Sequence, residues 1–219
     1  MGAGGLVASS LLASCATRIG PVDQVVELAP AEPSYDNSSY ASMYAPMIDE
    51  GYEIPGVPFQ KIDPQFYRQI VPNPTGERPG TVVVDTRGHF LYYTMPNGQA
   101  MRYGVGLGRE GFAWSGRAVV QWKRKWPTWT PPEEMIARQP ELRIYSADNG
   151  GMQPGLTNPL GARALYIFKD GQDTLYRLHG SPEWASIGRN VSSGCVRLIN
   201  QDIIDLYDRV PNGTPIVVI

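Results

Sequence analysis

One of the chain's two histidines, His179, stands sixteen positions before one of its two cysteines, Cys195. A thiol becomes a strong nucleophile when a neighbouring histidine takes its proton. Gly194 directly precedes the cysteine, and a glycine lets backbone approach closely because it carries no side chain. The backbone N–H groups of Gly194 and Cys195 could then point at a developing oxyanion. These residues are compatible with nucleophilic catalysis by a cysteine, provided that the fold brings the thiol and the imidazole together.

Each of the two residues also has a purely structural interpretation. A single histidine at the end of a strand is more often a hydrogen-bonding residue than a catalyst, and a free cysteine is usually a small buried apolar residue. The segment 181–193 is short enough to return the chain from His179 to Cys195. On these residues alone, catalysis and structure are evenly matched. No metal and no cofactor are predicted, because two histidines and one remote cysteine do not assemble a zinc site.

Short strands separated by turns must position this pair. The 24 glycines and 20 prolines favour many turns over long helices. Apolar and β-branched runs predict strands at 81–86, 89–94, 101–105, 118–120, 164–168, 174–178 and 215–219. Two short helices are predicted, one at 131–138 capped by Thr130 and one at 201–210 capped by Asn200. The fold is therefore predicted to be mainly β, with His179 where a strand gives way to a loop.

The composition excludes several classes of protein. A formal net charge of −2 gives no indication of nucleic-acid binding, which normally needs a basic surface. No apolar run approaches the ~20 residues that cross a bilayer. A hydrophobic fraction of 42% is ordinary for a folded soluble protein, and 219 residues suffice for one full domain and a tail.

The N-terminal residues predict export and an anchor. Leu12-Ala13-Ser14-Cys15 follows a short apolar segment and resembles a bacterial lipobox, in which the signal is cut before a cysteine that becomes lipidated. Residues 1–21 are therefore predicted to be a lipoprotein-type signal segment, which makes the protein periplasmic and bound to the membrane through an N-terminal lipid. Residues 1–5 lack the usual positive charge, so an ordinary signal peptide or a disordered terminus with a chance cysteine are the alternatives. A Cys15–Cys195 disulfide is disfavoured, because export would remove or anchor Cys15.

The rest of the chain divides into a tether and a folded domain. Residues 22–61 are rich in Pro, Ser, Ala and acidic residues without a sustained period, which predicts a flexible linker. Its tyrosines could dock on the domain, although a solvated linker is the favoured interpretation. Residues 62–219 are predicted to form the catalytic domain.

His179-Gly180-Ser181, followed by Ser192-Ser193-Gly194-Cys195-Val196-Arg197-Leu198, resembles the signature of the L,D-transpeptidase family, also called YkuD-like enzymes. Further matches lie at 80–86, 104–106, 126–132 and 158–162, so the resemblance covers 80–219. It implies a mainly β fold: a YkuD-like β-sandwich catalytic domain with short helices. Ser193 departs from the family pattern, because many members carry a second histidine there. That departure puts in doubt only the supporting role of the second histidine.

The resemblance also implies a reaction. Cys195 attacks a tetrapeptide stem of peptidoglycan and forms a thioester, His179 moves the proton, and an amine takes the stem to give a 3→3 crosslink or an attached lipoprotein. Ser193 and Gly194 are assigned to the oxyanion, and Gly180 and Ser181 to orienting the imidazole. Arg197 either binds a stem carboxylate or makes a structural ion pair, and Trp129 either contacts substrate or packs in the core. The alternatives are a related thiol hydrolase of the cell wall and a non-catalytic lipoprotein that binds peptidoglycan.

Overall fold

The computed structural model describes residues 1–2, 37–108, 115–192 and 194–219. The residues from Tyr35 to Ile219 form one compact unit. The predicted lipidation site Cys15 and the predicted oxyanion residue Ser193 lie outside the described residues, as does most of the predicted signal segment. Across the described part of the chain, none of the helices combines the length and apolar character that crossing a membrane requires.

Most of the secondary structure consists of short strands, as the sequence predicts. The strands in the described residues are β1 (Met47–Asp49), β2 (Tyr52–Ile54), β3 (Gln69–Pro72), β4 (Val82–Asp85), β5 (Phe90–Met95), β6 (Gln99–Gly104), β7 (Leu107–Gly108), β8 (Gly116–Lys125), β9 (Arg163–Lys169), β10 (Gln172–Ser181), β11 (Asn190–Ser192), β12 (Val196–Ile199) and β13 (Thr214–Val218). The α-helices there are α1 (Asn37–Met43), α2 (Glu133–Arg138) and α3 (Asn200–Arg209).

Nine of these strands form one sheet, in the order β12-β10-β9-β8-β13-β4-β5-β6-β3. The sheet folds over on itself, because residues of β6 (Met101 and Tyr103) share one apolar core with residues of β10 and β12 (Leu178 and Leu198). The chain just after β6 also reaches the free edge of β12, where the Gly106 N–H donates to the Arg197 carbonyl at 2.9 Å. The two layers enclose the core as a β-sandwich does. The predicted mainly β, sandwich-like fold is confirmed.

Helix α3 closes one side of this core, with Ile203 and Leu206 fully buried. The sequence predicts Asn200 as the residue before the helix, and this prediction is wrong. Asn200 is the first residue of the helix, and Ile199 occupies the cap position without a side-chain hydrogen bond. The Asn200 side chain is used elsewhere, because its Oδ1 accepts the N–H of Ala162 at 3.0 Å. The predicted Thr130 cap is also wrong. Helix α2 begins at Glu133 after Pro132, which has no side chain that could cap it.

The prediction of a flexible linker does not hold for residues 37–61. Tyr44, Ile54 and Phe59 of this segment are at most 5% exposed. The hydroxyl of Tyr44 donates to Asp202 of α3 at 3.3 Å and accepts the N–H of Arg68 at 2.8 Å. The polar composition misled the prediction, because a few well-spaced aromatic residues bury enough area to fix a segment that lacks periodicity.

The antiparallel β1–β2 hairpin is fastened to the start of β9. Both carboxylate oxygens of Asp49 pair with the Arg163 guanidinium, at 2.7 and 2.8 Å, and the indole Nε1 of Trp126 donates to the same carboxylate at 2.8 Å. The ring of Tyr52 stacks on Trp126 with a centroid distance of 3.8 Å. The Arg163 side chain is only 3% exposed, so its charge depends on the hairpin for neutralisation.

Replacing Asp49 with alanine is therefore expected to lower the free energy of unfolding by about 3 kcal/mol, because it leaves a buried guanidinium without its partner. Urea denaturation of the full chain measures the effect. The matched control is Glu50→Ala on the same hairpin, because Glu50 pairs with Lys125 where both side chains are about half exposed. An exposed pair contributes about 0–1 kcal/mol. Equal losses for the two variants would contradict the proposed anchoring role of Asp49.

Candidate active site

Strands β10 and β12 bring the predicted catalytic residues to one face of the sheet. The two strands are parallel, with Leu178 opposite Val196 and His179 opposite Arg197. Cys195 directly precedes β12, so continuing this register places it beside Arg177, two positions from His179. Side chains two apart on a strand share a face, and these spacings separate the Cα atoms of His179 and Cys195 by roughly 8 Å. The sixteen-residue spacing in the sequence thus becomes a juxtaposition across two neighbouring strands.

The imidazole of His179 is held by backbone carbonyl groups. Its Nδ1 lies 2.7 Å from the Gly180 oxygen. A carbonyl oxygen only accepts, so Nδ1 carries the proton, and Nε2 of the neutral ring is left as a base. Burial is the main cause that lowers the pKa of His179 to about 4; the nearby Arg197 and Arg177 act in the same direction, and the carbonyl groups of Gly180 and Pro159 oppose the change. The imidazole is therefore neutral at physiological pH.

The thiol of Cys195 is half-buried against strand β10. Its Sγ lies 4.0 Å from the carbonyl oxygen of Leu175. Burial raises the pKa of the thiol, while the backbone N–H of Arg177 and the guanidinium groups of Arg177 and Arg197 lower it in part. The resting site therefore holds a neutral thiol and a neutral imidazole rather than a preformed ion pair. Such a site ionises the thiol as it attacks, with the imidazole as general base.

Gly180 occupies a position where a side chain cannot fit. A Cβ built on it would lie 2.3 Å from Asn200 Oδ1, and one built on Gly161 would lie equally close to the same atom. This close approach packs the 158–162 loop against the strand that carries His179. Within that loop Asn158 is fully buried, and its Nδ2 lies 3.1 Å from each of three carbonyl oxygens, those of Pro127, Met152 and Gln153. The loop that supplies the Pro159 carbonyl to His179 is thereby fixed.

The other predicted site residues lie around this pair. The hydroxyl of Ser181 accepts the N–H of Glu183 at 3.1 Å, so its recorded contact supports the turn rather than the imidazole. Arg197 forms an ion pair with Glu183 at 2.7 Å, which is one of the two roles that the sequence left open for it. The Glu183 side chain is 66% exposed. Gly194 has a φ of 125° and passes close to the Tyr176 ring. Trp129 lies in a loop where its ring meets Tyr145 at 6.4 Å and its backbone pairs with Met152.

Sequence reasoning missed several residues that shape the site. Arg177 places a cation beside both Cys195 and His179, and Asn158 and Asn200 fix the surrounding loops. The alternation of side chains along β10 could have indicated Arg177, because residues 177 and 179 share a face. Asn158 falls in a matched segment and Asn200 was predicted as a cap, but neither pattern indicates the hydrogen bonds that these two side chains make. Among the described residues, no group of three potential ligands is arranged to hold a metal ion.

This β-sandwich carries a histidine on β10 and a cysteine directly before the neighbouring β12, an arrangement compatible with a thiol enzyme. Residues 79–218 match the model of the YkuD family, the L,D-transpeptidase catalytic domain. The chain belongs to this family, and the resemblance inferred from the sequence is confirmed.

Curated relatives agree with this membership. The probable L,D-transpeptidase ErfK/SrfK of Escherichia coli K12 is 35% identical over 146 residues, which cover 63% of this chain and 43% of that protein. The probable L,D-transpeptidase YbiS of the same organism is 35% identical over 150 residues, covering 66% and 45%. The chain therefore spans less than half the length of these relatives.

A solved structure supports the same fold. The structure is from Brucella melitensis and is described as a probable carnitine operon oxidoreductase. It is 43% identical to this chain, with a TM-score of 0.50, and the match covers 74% of this chain and 99% of that one. The described activity is that protein's own.

Proposed function

We propose that this protein is a peptidoglycan L,D-transpeptidase in which Cys195 is the nucleophile and His179 the general base. The observation that supports the proposal is the register of β10 and β12, which, continued by one residue, sets Cys195 on the face of the sheet that carries His179. The contact of Nδ1 with the Gly180 carbonyl leaves Nε2 of the neutral ring as the proton acceptor. Family membership supports the same reaction class. Residues 62–219 supply the catalytic domain, and the 37–61 segment packs on it.

The reaction follows from these two groups. Nε2 of His179 takes the thiol proton as Sγ of Cys195 attacks the carbonyl carbon that follows the L-centre of the tetrapeptide stem. The tetrahedral intermediate collapses, the C–N bond to the terminal D-alanine breaks, and the imidazolium returns the proton to the leaving amine. An acceptor amine then attacks the thioester, the C–S bond breaks, and its proton passes through the imidazole to restore the thiol. Backbone N–H groups at Gly194 and Cys195 stabilise the oxyanion.

The polar groups around the thiol suit a peptide stem that carries carboxylates. Arg197 lies two residues after the nucleophile and opposite His179, and its partner Glu183 is mostly exposed. A stem carboxylate can therefore replace Glu183 without leaving a buried charge unpaired. Trp129 is assigned a contact with the more distant part of the substrate.

The test is mass spectrometry of the muropeptides that the purified full chain makes from disaccharide tetrapeptides. A crosslinked dimer with loss of one D-alanine supports the transpeptidase. Release of D-alanine without a dimer would assign water as the acceptor and favour the thiol hydrolase. Unchanged tetrapeptides, together with retention of the protein on peptidoglycan, would favour the non-catalytic binding protein.

Localisation is a separate part of the proposal: a periplasmic enzyme anchored by a lipid on Cys15. Replacing Cys15 with serine is expected to move the protein from the membrane fraction to the soluble periplasmic fraction, because a serine cannot carry the thioether-linked lipid. Immunoblots of fractionated bacteria measure the distribution, with Cys195→Ser as the matched cysteine control that should stay in the membrane fraction. If the Cys15 variant stayed in the membrane fraction, the proposed lipid anchor on Cys15 would be contradicted.

A further inference from the structure

A row of side chains crosses four adjacent strands and ends at the nucleophile. Trp122 of β8 stands opposite Tyr166 of β9, and Tyr166 stands opposite Arg177 of β10. The register of β10 with β12 places Arg177 beside Cys195. Residues directly opposite each other share a face of the sheet, so all four side chains lie on the face that carries His179.

The members of this row hold the Arg177 side chain in one place. The rings of Trp122 and Tyr166 stack with a centroid distance of 3.5 Å and an interplanar angle of 12°. The guanidinium carbon of Arg177 lies over the face of the Tyr166 ring, 4.3 Å from its centroid, which is a cation–π contact. Both guanidinium ends pair with the Asp173 carboxylate, at 2.7 and 2.8 Å. The Arg177 side chain is consequently only 14% exposed.

The same carboxylate shapes the backbone that touches the sulfur. The pairing of β10 with β9 shifts register between Asp173 and Arg177. Within this bulge Leu175 adopts a φ of 64°, in the left-handed region, and its N–H donates to Asp173 Oδ1 at 2.9 Å. A left-handed conformation is strained for a residue other than glycine. That bulge turns the Leu175 carbonyl toward Sγ of Cys195. The strained residue is therefore one that contacts the nucleophile.

We propose that Arg177, fixed by Asp173 and stacked on Tyr166, is the residue that supplies positive charge to the Cys195 thiolate during acyl transfer. The inference rests on the proposed function, because it takes Cys195 as the nucleophile. Negative charge develops on Sγ when the thiol attacks the stem, and it returns when the acceptor amine expels the thiolate. A cation already held beside the sulfur stabilises this charge in both steps, and the site does not have to rearrange for it.

Arg177 suits this task better than the other cation near the site. Arg197 pairs with the carboxylate of Glu183, which is 66% exposed and free to give way to substrate. Arg177 is bound on two sides, and its backbone N–H contributes with its guanidinium to favouring the charged sulfur. The same charge disfavours a protonated His179. Arg177 therefore keeps the imidazole neutral in the resting site while it favours the charged sulfur.

Alkylation of Cys195 by iodoacetamide tests this role without any peptide substrate. The rate is followed from pH 7 to pH 11 in the full chain, by mass spectrometry of the peptide that contains Cys195, because the range must include the raised pKa of the buried thiol. We expect Arg177→Gln to slow alkylation at pH 7 about tenfold and to move the midpoint of the pH profile up by about one unit, the effect of losing one nearby opposite charge. Arg177→Lys should stay within threefold of the wild type, because it keeps the charge. Arg138→Gln, an exposed change on α2, is the matched control.

The inference is overturned if Arg177→Gln alkylates within twofold of the wild type with an unchanged midpoint. It is equally overturned if the lysine variant loses as much as the glutamine variant, since loss of the bidentate contact alone would then explain both. Should the glutamine variant not fold, Arg177→Met preserves the stacking on Tyr166 and enters the same assay. Failure of the proposed function would look different: Cys195 would alkylate as described here while the wild type transferred no stem.

Discussion

Replacing Cys195 with alanine is expected to abolish formation of crosslinked muropeptides while leaving the fold intact. Without the sulfur there is no thioester, so activity should fall below detection, a loss of at least about 10⁴-fold. The thiol is half-buried, at the start of β12 rather than in the main core, so the free energy of unfolding should change by about 1 kcal/mol. Product analysis by mass spectrometry and urea denaturation of the same preparation measure the two effects.

The matched control for this variant is Cys15→Ser, which removes the chain's only other cysteine. In a purified, soluble assay the control should retain the wild-type rate, because Cys15 has no part in the proposed chemistry. Crosslinking by the Cys195 variant at a rate near that of the wild type would assign the reaction to another nucleophile. Loss of activity in both variants would show that thiol content, rather than Cys195, governs the assay.

Replacing His179 with glutamine is expected to lower the rate of stem transfer about 10³-fold, the usual contribution of a general base. The same change should alter alkylation of Cys195 by iodoacetamide only about threefold. The reason is that a neutral imidazole does not hold the resting sulfur as a thiolate, because burial keeps the pKa of His179 low, at about 4. A parallel thousandfold loss in both assays would instead indicate a preformed thiolate–imidazolium pair.

The low pKa of His179 also fixes the acid limb of the pH profile. A base whose pKa is about 4 stays unprotonated as the pH falls to about 5. The value of kcat/KM for the donor stem, which reports the attack of Cys195, should then remain at pH 5.5 above half of its value at neutral pH. An ordinary histidine would be about nine-tenths protonated at pH 5.5. A profile that collapses near pH 6.5 would contradict the neutral buried base.

Much of the sandwich could be predicted from the sequence because its strands are apolar and locally bounded. The run at 81–86 contains β4, with three of its four residues buried, and the turn at 96–98 separates β5 from β6. The bounds of most predicted strands are correct to within three residues for this reason, whereas β8 runs to Lys125, five residues beyond its predicted end. The prediction that His179 ends its strand failed by two residues, because β10 continues to Ser181.

Contacts between distant segments were beyond such reasoning. The chain from Asn37 to Lys61 has no period that predicts packing, yet its hairpin supplies Asp49 to a buried Arg163. Asn200 carried a capping signal of the right type, but its amide serves Ala162 instead. A cap can be inferred from neighbours in the sequence, whereas a bond across 38 positions depends on the completed fold.

Within the active site, the residue types were predictable and their arrangement was not. The Cys195 motif and His179 identified the chemistry, and the parallel pairing of β10 and β12 then made it geometrically possible. The contribution of Arg177 depends on a register shift and on a left-handed Leu175. Neither feature has a sequence signal of its own, because leucine is not a residue that favours this conformation.

The most direct test of the account is peptide mass spectrometry of the full chain quenched in acid during turnover of a tetrapeptide stem. We predict a mass increase equal to the stem without its terminal D-alanine, confined to the peptide that contains Cys195, and released by hydroxylamine as a thioester should be. The His179→Gln variant should accumulate the adduct about a thousandfold more slowly. Crosslinked product with an unmodified Cys195 peptide at every time point, or an adduct on any other residue, would contradict the account.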